Sequence, residues 1–338
     1  MIYFVIFCLF ASLTLYVLFA GADFGAGILE LLTPRSRRSY VASLTTRAIG
    51  PVWEANHVWL ILVIVILFTG FPSLHTLLAN HLHLPILFLL LGIIVRGTAF
   101  VFRHYDAVKD GLQRHYRNAF VYSSMLTPLC LGVIAGAGIR GIDIPENPDF
   151  HAAYLAPWLN GFSFFVGLFT VSICGYLAAV FIMGEEKSPA ERKRYARQAT
   201  GLLLAMVGSG GLVFATAYRE DLAFWGAFTG NAGSIGMVGL ATLSVPLMRH
   251  WLRQDRYLLA RLAAGGQVSL ILLAVYTALF PHFVLGGHPA SDLLTAAAPD
   301  KTINMLGGAL IVGLSIIGPS IAYLMWVFKG QKESPDAS

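Results

Sequence analysis

Long apolar runs recur along the whole chain, each exceeding the roughly 18 residues that mark a membrane-helix candidate. Inside hydrocarbon every backbone N–H and C=O must find a partner within the protein, which makes each run a helix. Composition agrees with this. The chain is 57% hydrophobic and 12% charged, with a mean hydropathy of +0.69, whereas a soluble domain carries about 25% charged residues. The expected fold is therefore an all-α polytopic membrane protein, a single transmembrane domain over 1–338 with about nine transmembrane helices in packed bundles. The spans are expected at 3–31, 52–74, 83–103, 119–139, 160–184, 200–218, 224–247, 262–285 and 304–328. Met1 opens an apolar run with no basic segment before it and no small-residue cleavage site, so it reads as a retained first span.

Orientation follows from where lysine and arginine fall. Nineteen of the 23 lie in the segments after spans one, three, five and seven and in the C-terminal tail. The alternate loops hold three, Arg140, Arg219 and Lys301, and Arg96 alone lies within a span. The N-terminus is thus expected outside and the C-terminus cytoplasmic. The net charge of +5 reads as a basic cytoplasmic face and not as nucleic-acid binding. Cys8, Cys130 and Cys174 fall in apolar runs at no metal-like spacing and read as small buried hydrophobes. Glycine-rich runs such as 208–211 and 230–236 suit close helix packing. With no strand before them, they are poor phosphate cradles.

Against this apolar background a few ionisable groups stand out. Asp23 lies on the first span, Glu54 and His57 open the second, and Arg96 lies on the third. Glu54 and His57 are three residues apart, on one helix face. Charge in a bilayer costs roughly 2.5–3.5 kcal/mol per group on insertion scales, so it is paired, hydrated or functional. The alternation of spans puts all four groups at similar depth toward the cytoplasmic side. A protonatable carboxylate there suits proton intake from the cytoplasm, and Arg96, which keeps its proton, suits holding a carboxylate ionised. The plainer reading stands beside this one. Asp23 and Glu54 would snorkel to the interface or sit as acids near a helix N-terminus. Arg96 would form a structural ion pair, and His57 would serve packing. Trp53 suits the interfacial aromatic belt, Trp59 suits packing between helices, and Asn56 adds a polar group to the cluster. The other histidines map to loops or interfaces.

The same residues carry a family resemblance. GADFGAG at Gly21–Gly27, IGPVWEANHVWLI at Ile49–Ile61, FTGFPSLH at Phe68–His75 and RGTAFVFRH at Arg96–His104 resemble, in order and spacing, the second subunit of cytochrome bd-type quinol oxidases. YLAAVF at Tyr176–Phe181 is a further similar segment, and the short loops look closest to the cyanide-insensitive branch. The resemblance implies a heterodimer in the bacterial cytoplasmic (inner) membrane, with quinol and oxygen as the substrates of the complex. It implies that this chain ligates no haem and is not catalytic alone. Two b-type haems and one d-type (or b-type) haem would belong to the partner, subunit I. A small accessory subunit and a quinone bound to this chain are also within the family's pattern. The position of Glu54 matches an acid proposed to feed protons to the oxygen-reduction site. Asp23 matches the family's D-x-G-x-G aspartate, but the additional acid that some members carry just before it is missing from Val17–Ala22. The proton-pathway candidates are thus Glu54, Asp23 and His57, with Arg96, Asn56, Trp53 and Trp59 as structural or charge-pairing residues. Two other functions compete: a proton-coupled secondary transporter, which broken helices would mark, and an assembly scaffold whose polar cluster is only structural.

Overall fold

The computed structural model describes residues 1–49, 55–105, 112–145, 147–186 and 188–330. Thirteen α-helices occur among them: α1 Ile2–Leu31, α2 Arg38–Ile49, α3 Val58–Gly70, α4 Pro72–His81, α5 His83–Tyr105, α6 Leu112–Arg140, α7 Phe150–Tyr154, α8 Gly161–Met183, α9 Pro189–Arg219, α10 Ala223–Thr229, α11 Ala232–Arg253, α12 Tyr257–Leu279 and α13 Asp300–Gly330. Among the described residues there is no β-strand, only an isolated bridge between His282 and Asp292.

Eight helices are long and apolar enough to cross a membrane: α1, α5, α6, α8, α9, α11, α12 and α13. The remaining expected crossing is a bent pair, in which Ala55–Gly70 and α4 meet at 116°. The cause is local. Pro72 begins α4, and proline disfavours helical backbone at the residue before it; Phe71 sits at φ −137°, ψ 61°. The expected crossing at 52–74 therefore stops at Gly70, and the connection to the next expected crossing is mostly the helix α4.

Two other spans shift along the sequence. The run 224–247 is interrupted after α10, where the Asn231 side chain accepts from the N–H groups of Gly233 and Ser234 at 2.9 and 3.2 Å. That is an N-cap, which satisfies orphan donors and starts a fresh helix. The crossing is then α11, ending at Arg253 and not at 247. The run 262–285 ends early, at Leu279, because Pro281 cannot continue the helix. The chain beyond it runs extended, with Leu285 N–H donating to the Gly138 carbonyl at 2.8 Å.

The bundle is centred on α1 and α8. α8 is the most enclosed crossing, with 72% of its apolar window buried. Two glycines of the GADFGAG segment let α1 approach its neighbours. A Cβ on Gly25 would collide with the Cys174 carbonyl of α8, and one on Gly27 with the Ser124 Oγ of α6. Gly25 and Gly27 thus press α1 against two helices, and Asp23 lies just before them on the same segment. α5 packs along α6, and α6 along α1.

Candidate functional site: paired charges inside the bundle

Asp23 and Arg96 meet in the interior, 1% and 2% exposed. Arg96 Nη2 donates to Asp23 Oδ1 at 2.5 Å and to the Asp23 carbonyl at 3.2 Å, and Arg96 Nε donates to Ser124 Oγ at 3.2 Å. The guanidinium also lies over the Phe24 and Phe120 rings, 5.1 Å from each centroid. A fully desolvated ion pair is tolerated only with good geometry and further hydrogen bonds, and three donations and two aromatic faces supply them.

A second pair sits beside the first. Arg103 Nη1 donates to Glu30 Oε2 at 2.9 Å, and Glu30 is fully buried. The Arg103 guanidinium lies 4.3 Å from the Phe120 centroid, so both arginines use that ring. The two pairs share one sequence offset of 73 residues. α1 and α5 therefore run parallel and are joined by two rungs, about 10 Å apart at 1.5 Å per residue.

This second rung is absent from the reading of the sequence, which leaves Glu30 inside the first span unremarked and counts Arg103 with the cytoplasmic segment. The signal was available as spacing. Asp23 and Glu30 are seven apart, as are Arg96 and Arg103, and residues seven apart share a helix face. Arg103 instead belongs to α5 and pairs inward, because a buried carboxylate without a cation would be stranded.

The other expected site residues fall as follows. His57 ends a short 3₁₀ turn, Ala55–His57, with its ring 6.2 Å from Tyr16 and 6.3 Å from Phe24. Asn56 is buried and its Nδ2 points to the Phe19 carbonyl at 3.5 Å, a weak tie between that turn and α1. Trp59 packs against the cluster formed by Tyr16, Ala20, Phe24, Ile28, Val171 and Cys174. The structure thus brings Asp23, Arg96, His57, Asn56 and Trp59 to neighbouring surfaces around α1. Glu54 and Trp53 lie outside the described residues. Among the described residues no group of three or more His, Cys, Asp or Glu could hold a metal ion. The three cysteines are free and buried.

Eight helices and one bent pair long and apolar enough to cross a membrane among the described residues, packed around a desolvated acid–arginine ladder, define a polytopic integral membrane protein. The chain belongs to the cytochrome bd terminal oxidase subunit II family, whose sequence model matches residues 1–328. It is 25% identical over 319 residues to the cytochrome bd ubiquinol oxidase subunit 2 of Bacillus subtilis (strain 168), covering 91% of this chain and 90% of that one. Its fold is similar to a chain of the bd oxidase from Geobacillus thermodenitrificans, with a TM-score of 0.77 at 20% identity, covering 96% and 98% of the two chains. It is a subunit of a terminal oxidase, an oxidoreductase of the respiratory chain, and a multi-pass membrane protein. Membership implies a first subunit as its partner and haem in the assembled complex.

Proposed function

We propose that this chain is the non-haem second subunit of a quinol:oxygen oxidoreductase, and that it supplies a cytoplasmic proton route to the oxygen-reduction site of its partner. The observation that carries this reading is the Asp23–Arg96 pair, buried at 1% and 2% exposure on two membrane-spanning helices. Ionisable groups kept at such a cost within a bilayer mark proton relays and ion pathways. Asp23, His57 and Glu54 are the carriers in this reading. Arg96 holds Asp23 in place and keeps it an anion between transfers. Asn56 and Trp59 fix the turn that bears His57.

The finer assignments belong to the same proposal. The N-terminus is outside and the C-terminus cytoplasmic, which puts the Glu30 end of α1 toward the cytoplasm of a bacterial inner membrane. Two b-type haems and a d-type or third b-type haem reside in subunit I. A small accessory subunit and a bound quinone complete the assembly. Quinol and oxygen are the substrates of the complex, in keeping with the ubiquinol oxidase name of the Bacillus subtilis relative.

The test is made on the assembled oxidase. Glu54→Gln and Asp23→Asn keep side-chain size and hydrogen bonding but remove titration. In Glu54→Gln oxygen-consuming turnover is expected to fall with haem spectra and subunit stoichiometry intact; Asp23→Asn leaves Arg96 without its carboxylate, so its turnover is read per assembled complex. Full turnover in both variants would leave only the scaffold reading. Transport by a stand-alone carrier would require function at broken helices. The breaks at Phe71 and Gly230 carry no acid or base at the break itself, and the Phe71 break is about 20 Å along the helix from the turn that bears His57.

A further inference from the structure

Tyr16, Asp23 and Glu30 recur every seven residues on α1, so they form one stripe that drifts by only about 20° per step. All three are essentially buried, at 0%, 1% and 0% exposure. Each also keeps one polar atom without a protein partner among the described residues: Tyr16 Oη, Asp23 Oδ2 and Glu30 Oε1. The arginines take one oxygen of each carboxylate and leave the other free. Elsewhere in the bundle buried hydroxyls are of both kinds: Ser163 Oγ and Tyr195 Oη also lack a partner among the described residues. Tyr176, equally buried, donates to Gln267 Oε1 at 2.8 Å and lies against Met248 Sδ at 2.9 Å.

An unsatisfied buried polar atom costs about 1–3 kcal/mol, and more when charged. Three along one helix face would be a large liability for a single element. Ordered water relieves it, since polar and roomy interior sites take waters that make about three hydrogen bonds each. The unpartnered atoms lie on the side of α1 that faces α5 and α6, where the long arginine side chains bridge from α5 to α1 across the Phe120 and Ser124 face.

We propose that Tyr16, Asp23 and Glu30 line a continuous file of ordered water along α1, with Glu30 as its outermost proton-loading group. The file spans about 21 Å at 1.5 Å per residue, with two or three waters between successive groups. Its outer end is in the last turn of α1, where the helix stops at Leu31. Its inner end meets the His57 ring beside Tyr16. A proton taken onto Glu30 Oε1 leaves through the waters to Asp23 Oδ2 and then toward Tyr16 and His57. Each carboxylate returns to the arginine-paired anion as the next proton arrives. The water along the stripe is argued from the unpartnered atoms; the direction and use of the protons rest on the function proposed above.

Hydroxyl-radical footprinting of the intact oxidase, with X-ray pulses and mass-spectrometric readout, tests the water directly. Radicals formed from ordered water label adjacent side chains even where bulk solvent is excluded. Tyr16 is expected to react within about threefold of exposed Tyr218, and Tyr176 at least about tenfold more slowly, because its hydroxyl is satisfied by protein. A Tyr16 as slow as Tyr176 would overturn the file. In the same complex Glu30→Gln should retain the Tyr16 label and lower turnover about tenfold or more, as expected for loss of a proton carrier. Wild-type turnover in Glu30→Gln with normal assembly would remove Glu30 from the route. Should that variant not assemble, the Tyr16–Tyr176 comparison in the unmodified protein still decides the file. The outcomes separate cleanly from the earlier reading: full turnover in Glu54→Gln and Asp23→Asn would end that function while a labelled Tyr16 kept the water.

Discussion

The α1–α5–α6 side of the bundle and the α8–α11–α12 side both bury polar groups, but of different kinds. The first holds two full ion pairs, Asp23–Arg96 and Glu30–Arg103. The second buries the neutral set Tyr176, Gln267 and Met248, with Ser234 donating to the Ala274 carbonyl at 2.8 Å; its ion pair, Arg261 with Glu185, lies part-exposed at the helix ends. Neutral hydrogen bonds are enough to join helices in a membrane, at about 0.6 kcal/mol apiece on average. The second region therefore shows what packing alone requires. Charge in the first region exceeds that requirement, and its expense points to a use beyond cohesion.

That contrast can be broken by substitution. The largest effect is expected from Arg96→Ala, which strands Asp23 in the interior. Removing one partner of a buried pair costs about 3–5 kcal/mol, so assembled complex should nearly vanish on size exclusion. Arg103→Ala should follow closely, because Glu30 is fully buried although Arg103 itself is 11% exposed on its side chain. Wild-type yield in both variants would show that the rungs carry no structural weight.

Gly25→Ala comes next. Its new methyl meets the Cys174 carbonyl backbone and cannot be accommodated by a side-chain rotation. Overpacking of this kind costs about 1–3 kcal/mol, read as a lower thermal midpoint for the complex. Tyr176→Phe on the neutral side should cost about 1 kcal/mol for the lost hydrogen bond, with turnover unchanged. A larger loss there would erase the distinction between the regions. The smallest effect belongs to Arg37→Ala at the cytoplasmic end of α1 in the proposed orientation. Arg37 pairs with Glu191 from a side chain 52% exposed. Exposed pairs contribute about 0–1 kcal/mol, so the midpoint should barely move, and less still at high salt.

Much of the architecture was legible in the order of residues. Eight crossings and one bent pair lie where the apolar runs fall, because length and hydropathy decide insertion before any helix meets another. Helix ends were less legible. The stop at Gly70 depends on Pro72, and the restart at Ala232 on the cap from Asn231; both are single-residue effects inside otherwise continuous apolar sequence. Asp23 and Arg96 announced themselves as isolated charges. Glu30 and Arg103 did not, because each stands near a span end, where a charge ordinarily reaches water.

Sequence alone determined that this chain lives in a membrane, that it carries eight or nine segments able to cross it, and that Asp23 and Arg96 lie inside such segments. Hydrocarbon admits no unsatisfied backbone and little charge, so composition and spacing leave few alternatives. Tertiary structure alone decided which charges meet. The pairing of Asp23 with Arg96 and of Glu30 with Arg103 depends on α1 and α5 running parallel at one register around α6. That register is set by glycine contacts and side-chain packing between helices far apart in the chain, and such contacts leave no period in a linear sequence.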